Sequence, residues 1–309
     1  MPLSLDAPPI HSGDGALSPC PGLVDAARRV GALAAQHAAE ADSRDCAPEA
    51  GLAALAEAGL LLAPASPRFG GHGMGSIPGL DLTTYYTLRE VGRGSLPLGR
   101  LYEGHINALV LIETYGTDEQ RRRAAADARA GHLFGVWNTE IPSEAVHLHP
   151  LPGGRVRLEG AKVFCSGAGR VTRAIVPGSL PDGERQMVLV PMDSVEARAD
   201  PSWWRAEGMP ASQSGRVEFS GVTLDPAGVL GTPGDYTRQP LFTVGAVRFA
   251  AFQLGGALAL GQAAAMHLRA LKRTRHPVQQ IRMGEVAIAL ETGDLWLRGM
   301  ARLAHSSAS

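Results

Sequence analysis

The apolar positions change period twice along the chain, and the two changes divide it into three zones. In the first, Leu23, Ala27, Val30 and Ala34 recur at the spacing that gathers side chains on one face of an α-helix. Pro48 suits a first helical turn, Leu52, Leu55 and Ala56 follow on one face, and Gly59 offers a stop. Further helices are predicted over 82–91 and 98–115, the second closed by Gly116. Thr117-Asp118-Glu119-Gln120 has the form of a capping box, in which the Thr and Gln side chains satisfy opposite orphan N–H groups. One more short helix is expected after it.

In the second zone the period falls to two. Val156 and Leu158 alternate with Arg155, Arg157 and Glu159, and Val217 and Phe219 alternate with Arg216, Glu218 and Ser220, as in half-buried strands. Pro152-Gly153-Gly154 marks a hairpin turn. The unbroken apolar run from Met187 to Val190 predicts a strand covered on both faces. Short strands punctuated by Gly and Pro predict a small antiparallel sandwich or barrel.

The third zone is helical again. Val247, Ala251, Leu254, Leu258, Gly261, Ala265 and Leu268 form a packed seam. Gly255 and Gly256 interrupt that helix, each at a cost of roughly 1 kcal/mol relative to Ala, so a helix or a ligand is expected to approach the backbone there. A last helix over 278–304 carries two apolar stripes, one of Met283, Val286, Leu290, Leu297 and Met300, the other of Ile281, Ile288 and Leu295. A helix apolar on two sides needs two neighbours, which predicts an oligomer interface or a further segment. The fold class expected is mainly α with a central small β-sandwich or barrel. Its division is a disordered lead-in (1–21), an N-terminal helical domain (22–132), a β domain (133–235) and a partial C-terminal helical domain (236–309).

Composition narrows the function. With 45% hydrophobic residues in 309, the chain can bury a sizeable core; with a net charge of -1 and no strongly basic face, nucleic acid is a poor partner. Cys20, Cys46 and Cys165 are widely spaced and lack a CxxC pattern, which argues against a disulfide framework or zinc site and for a reducing, cytoplasmic setting. The first 21 residues lack the charged and apolar regions of a signal peptide. The most apolar stretch, 241–268, contains Arg248 and two glutamines, so a buried core helix is expected and no membrane span. The glycine-rich run from Gly70 to Gly75 does not match GxGxxG and follows a helix, which excludes a Rossmann reading. His147 and His149 have no acidic or Cys partner at ligand spacing, so no metal is expected. Cys165 reads as a small buried residue and Trp203-Trp204 as loop packing.

Several local motifs, none specific alone, fall in one order. Leu55-Ala56-Glu57-Ala58-Gly59-Leu60 precedes Pro67-Arg68-Phe69-Gly70-Gly71-His72-Gly73. Then come Tyr115-Gly116-Thr117-Asp118-Glu119-Gln120, Trp137-Asn138-Thr139-Glu140, Gly160-Ala161-Lys162-Val163-Phe164-Cys165-Ser166-Gly167 and Val217-Glu218-Phe219-Ser220-Gly221-Val222. A long helix with Arg248, Gly255 and Arg273 closes the series. In this order the chain resembles the acyl-CoA dehydrogenase family over nearly its whole length. The resemblance implies FAD, with Thr139 at the flavin ring edge, Ser166 by flavin N5, Phe164 packing on the ring, and Arg273 reaching a pyrophosphate across a dimer interface. A guanidinium suits that last task because its planar fork binds phosphate oxygens in pairs. Arg248 is the candidate for substrate. Without the motif order, Thr139 and Ser166 read as strand hydroxyls, Phe164 as core, and the two arginines as solvated or paired.

The departures bear on activity. Ile141-Pro142-Ser143-Glu144 lacks the Gly-Ser-Asp that the family places after its Thr-Glu-Pro, and Arg273-Thr274-Arg275-His276-Pro277 lacks the Phe-Gly. Dehydrogenation of an acyl thioester needs a carboxylate base. Most members of the family place that Glu nearer the C-terminus than Ser309 reaches; a minority place it where this chain has Val247, which accepts no proton. Glu140 matches a Glu that is not the base. Three functions follow as expectations: an acyl-CoA dehydrogenase-like flavoprotein acting on an acyl thioester, a flavin-dependent monooxygenase of the same fold, and a non-catalytic subunit or truncated product that packs on a complete relative. A homodimer or homotetramer is expected.

Overall fold

The computed structural model describes residues 20–306. The lead-in expected over 1–21 lies outside them except for Cys20 and Pro21, and Pro21 already opens a helix. The first zone forms α1 (Pro21–Ser43), α2 (Glu49–Glu57), α3 (Asp81–Gly94), α4 (Leu96–Tyr115) and α5 (Asp118–Arg129). The capping box is made in both directions: Thr117 Oγ1 accepts from the Gln120 N–H at 3.2 Å, and Gln120 Oε1 accepts from the Thr117 N–H at 2.9 Å. The Gln120 amide also donates to the carbonyls of Ala227 and Val229, so one side chain both starts α5 and pins it to the β region.

The second zone forms β1 (Phe134–Val136), β2 (His147–Pro150), β3 (Val156–Glu159), β4 (Ala161–Cys165), β5 (Arg173–Ser179), β6 (Arg185–Pro191), β7 (Arg198–Asp200), β8 (Gly215–Glu218), β9 (Thr223–Leu224) and β10 (Val229–Leu230). A larger sheet runs β10-β6-β5-β2-β3-β9, and a smaller one runs β4-β8-β7. The hairpin at Pro152–Gly154 is present, with β2 antiparallel to β3 and Val156 and Leu158 facing inward. β6 lies between β5 and β10 with Met187, Val188 and Val190 buried, as the apolar run implied.

The expected all-antiparallel arrangement needs one correction. β1 and β2 share one edge of β5 end to end, and both run parallel to it: Phe134 to Val136 stand opposite Arg173 to Ile175, and His147 stands opposite Ser179. Parallel neighbours require a crossover rather than a tight turn. Between β2 and β5 that crossover passes through β3 and through β4 of the second sheet. Alternation reports which face of a strand is buried, not the direction of its neighbour, so the pattern could not show this.

The third zone is two long helices, α6 (Leu241–Ala270) and α7 (Pro277–Ser306). Gly255 explains itself: a Cβ there would stand 2.0 Å from the Arg89 carbonyl oxygen of α3. The element that approaches the backbone is therefore a helix. The α6 seam faces inward, with Ala251, Leu258 and Gly261 buried. By length and composition α6 could cross a membrane, but its inward face packs on α3, α4 and α7 as a core helix does. On α7 the first stripe faces α6, with Met283 and Leu297 buried, while Ile281, Ile288 and Leu295 of the second are exposed, together with Trp296. Buried Asp294 ties α7 to α3, accepting from Arg89 Nη1 at 2.6 Å and from the Tyr86 hydroxyl at 3.1 Å.

Candidate functional site

Where α4, α6 and the second sheet meet, two adjoining cavities open. The larger, of about 420 Å³, is lined by Arg100, Glu103, Asn107, Thr139, Phe164 and Ser166, with further walls from Trp204, Met209, Ser212, Ser214, Tyr236 and Phe249. The other, of about 360 Å³, shares Glu103, Asn107, Val136 and Tyr236 and adds Leu241, Phe242, Gly245 and Arg248. Both volumes lie in the range of small-molecule sites, roughly 300–1,000 Å³.

Phe164 sits at the end of β4, where the ladder to β8 shifts register between Lys162 and Cys165. Its φ of 54° is a left-handed conformation that a bulky residue rarely adopts. The shift turns the ring outward to 50% exposure, so it is a cavity wall rather than core. Trp203 stands edge-on to it at 4.9 Å and Trp204 at 6.2 Å. The tryptophan pair therefore does more than pack a loop, because Trp204 lines the cavity.

Ser166 begins a chain of hydroxyls. Its Oγ lies 2.9 Å from Ser214 Oγ, which lies 2.9 Å from Ser212 Oγ. The Trp137 indole N–H donates to the Ser166 carbonyl at 3.0 Å and fixes that turn. Thr139 is exposed at the cavity rim, and its carbonyl accepts from the Val163 N–H at 2.9 Å. Behind it, the wholly buried Lys162 ammonium donates to Glu140 and to the Asn138 carbonyl, and Arg185 donates to Glu140 Oε1 at 2.6 Å and to Asn138 Oδ1 at 3.0 Å. Burial pushes Lys162 down to about 8, against the pull of Glu140. Burial pushes Glu140 up, but the hydrogen bonds from Lys162 and Arg185 outweigh it and leave Glu140 below the usual carboxylate range. This cluster holds the strand leading to Thr139, and it leaves Glu140 the structural part expected of it.

On α4, Arg100, Glu103 and Asn107 fall on one face at helical spacing. Arg100 donates to Glu103 Oε2, the Asn107 amide donates to Glu103 Oε1, and Arg248 Nε from α6 donates to Asn107 Oδ1. Both oxygens of the cavity carboxylate are thus engaged. Tyr236 borders both cavities, and burial pushes its phenol up to about 12, so it keeps its proton at neutral pH.

Of the residues singled out in the sequence, Thr139, Phe164 and Ser166 come together on the larger cavity and Arg248 on the smaller. Val247 lies on the neighbouring face of α6, packed against the core. Arg273 is exposed on the turn after α6, away from both cavities. Sequence reasoning missed Ser212, Ser214, Glu103, Asn107 and Tyr236. Only the three-residue spacing of Arg100 and Glu103 on a predicted helix was available as a signal. Burial puts the Cys165 thiol far above its ordinary range, which suits a packing residue. No grouping of His, Cys, Asp and Glu among the described residues could hold a metal ion.

Residues 23–132 match the family model described as Acyl-CoA dehydrogenase, N-terminal domain. The structure superposes on butyryl-CoA dehydrogenase from Megasphaera elsdenii with a TM-score of 0.75, covering 93% of this chain and 77% of that one at 17% identity. The chain has the acyl-CoA dehydrogenase fold. Within that fold it is also similar to monooxygenases. It is 28% identical over 276 residues to a dibenzothiophene monooxygenase of Rhodococcus erythropolis, covering 81% of this chain and 65% of that relative. The chain therefore spans a little under two thirds of that relative's length. The complex of TdsC from Paenibacillus sp. A11-2 with FMN and indole aligns with a TM-score of 0.82 at 25% identity, covering 92% of this acyl-CoA dehydrogenase-fold chain and 76% of TdsC.

Proposed function

We propose that this chain is the flavin-binding and substrate-binding part of a monooxygenase of the acyl-CoA dehydrogenase fold, which uses reduced flavin to oxygenate a small aromatic or apolar molecule. One observation carries the choice over dehydrogenation: Glu103, the carboxylate lining the cavity, has both oxygens hydrogen-bonded, to Arg100 and to Asn107. A base that must take a carbon-bound proton has to be aimed at that proton, whereas these two hydrogen bonds hold both Glu103 oxygens toward their neighbours on α4. Similarity to dibenzothiophene monooxygenases supports the same reading.

The residues present fit a flavin. Phe164 offers an exposed ring beside the slot, Thr139 a rim hydroxyl, and the Ser166–Ser214–Ser212 chain offers hydroxyls that can donate or accept. Bound reduced flavin would supply the electron pair and the oxygen chemistry. The protein's own residues orient and enclose: Trp204, Met209 and Phe249 wall the larger cavity with apolar surface, and the protonated Tyr236 hydroxyl can donate a hydrogen bond to a ligand lying between the two cavities. We take the flavin as FMN, on the likeness to the FMN-bound TdsC, where the sequence motifs pointed to FAD. Arg273 is the candidate for the cofactor phosphate of a second subunit.

The test is oxygen uptake with FMN, a flavin reductase and its nicotinamide donor, with indole as substrate and mass spectrometry to detect one added oxygen atom. An oxygenated product supports the reading. Bleaching of the flavin by butyryl-CoA without oxygen would favour the second reading, a dehydrogenase acting on an acyl thioester, to which the N-terminal family match lends support. A protein that binds neither FMN nor FAD overturns both.

A further inference from the structure

The smaller cavity contains a buried cation with no carboxylate among the described residues in contact with it. Arg248 is 3% exposed, yet no carboxylate among the described residues lies within 4.0 Å of its guanidinium. Its Nε donates to Asn107; its two terminal nitrogens have no hydrogen-bond partner among the described residues. Gly245, one helical turn back on α6, leaves space in front of one of them: a Cβ there would lie 3.9 Å from Nη2. Glu103 and Asp81 act on Arg248 through space, but Glu103 is engaged by Arg100 and Asn107. Burial correspondingly pulls Arg248 below the usual guanidinium range. Tyr236 faces the same cavity, and its phenol hydroxyl likewise has no hydrogen-bond partner among the described residues. The remaining walls are apolar: Leu111, Val136, Leu241 and Phe242.

A buried guanidinium without a counter-ion is costly, and a ligand carboxylate or sulfo-oxyanion that accepts from its paired terminal nitrogens removes that cost. We propose that the smaller cavity holds an anionic group of the substrate, received by the Arg248 terminal nitrogens and the Tyr236 hydroxyl, with the substrate's apolar body extending into the larger cavity. The substrate class is then a small aromatic or apolar acid, not a neutral hydrocarbon. The inference rests on the oxygenase reading for the word substrate, but the binding itself does not depend on it.

The experiment is calorimetry on the flavin-free protein with indole-3-carboxylate and indole-3-carboxamide, which share shape and differ in charge. The carboxylate should bind roughly tenfold to a hundredfold more tightly, the range of a charge-assisted hydrogen bond. Arg248→Met should erase the preference, and Arg248→Lys should keep part of it, because the charge remains and the fork is lost. A melting curve of each variant with and without the carboxylate checks folding, and the wild-type comparison needs no variant. Equal binding of the two probes by the wild-type protein overturns the proposal. So does a preference that survives in Arg248→Met, or an Arg248→Met protein that loses affinity for FMN but not riboflavin, which would assign the guanidinium to the cofactor phosphate. If the carboxylate preference is found and FMN fails to bind, the flavin reading alone falls.

Discussion

The Lys162 ammonium, with no exposed surface, donates to the Glu140 carboxylate directly behind Thr139. Breaking a buried pair leaves one charge without a partner, which costs about 3–5 kcal/mol, whereas replacing both members by apolar residues is often neutral. Glu140→Gln should therefore destabilise the protein by about 3 kcal/mol in urea unfolding, with flavin affinity falling as the Thr139 strand loosens. The double variant Glu140→Leu, Lys162→Met should recover part of the stability, because the buried Lys162 charge is gone while Arg185 still lacks its Glu140 partner. A Glu140→Gln midpoint equal to wild type would show that the pair does not brace this strand.

His105 lies wholly buried between α4 and β1. Its Nε2 donates to the Leu61 carbonyl at 2.7 Å and its Nδ1 accepts from the Phe134 N–H at 3.1 Å, so the neutral ring satisfies both neighbours. Burial holds it down to about 4, against an ordinary value of 6.5. Between those values the unfolded chain binds a proton that the folded chain does not, so stability falls as pH drops through this window and the loss is complete below about 4. The full effect is on the order of 3 kcal/mol. Urea midpoints should fall from pH 6.5 to pH 4 more steeply in the wild type than in His105→Gln. Parallel slopes for the two proteins would assign the acid sensitivity to other groups.

Ser214 stands between two other hydroxyls, so removing it isolates both. Ser214→Ala should cost about 1–3 kcal/mol of stability and weaken FMN binding several-fold, measured by fluorescence quenching. Phe164→Ala should weaken FMN binding with little change in stability, because half of the ring is already exposed. If Phe164→Ala leaves flavin affinity unchanged, this wall of the cavity is not the flavin platform.

Two glycines on the long helices separate close packing from helix propensity. Gly255→Ala places a methyl against the Arg89 carbonyl and should force α6 from α3, at a cost of about 3 kcal/mol. Gly284→Ala on α7 meets nothing within 4 Å and should stabilise by about 0.5–1 kcal/mol. Thermal melting of the two variants should shift in opposite directions.

The helices, the strands around Val156, Met187 and Val217, the capping box, the hairpin and the inward faces of α6 and α7 were legible in the chain because each depends on residues within one or two turns or one hairpin. Thr139, Phe164 and Ser166 could be named only because ordered motifs placed them in a family's frame. Their own neighbourhoods look like ordinary strand residues. Ser212, Ser214 and Tyr236 carried no local mark at all: they reach the cavity through loops and short turns whose paths are set by distant contacts.

What the sequence by itself determined is the helix–strand–helix order and which face of each element is apolar, since periodicity translates directly into burial. What only the tertiary structure decided is pairing and charge balance. β1 and β2 had to be laid along β5 before their parallel register existed. Glu103 finds both its partners within one turn of α4, but Arg248 became a buried cation with no carboxylate in contact only when α4 and α6 were brought side by side. Whether a charged side chain is paired depends on its neighbours in space, and those neighbours stand 141 positions apart in the chain.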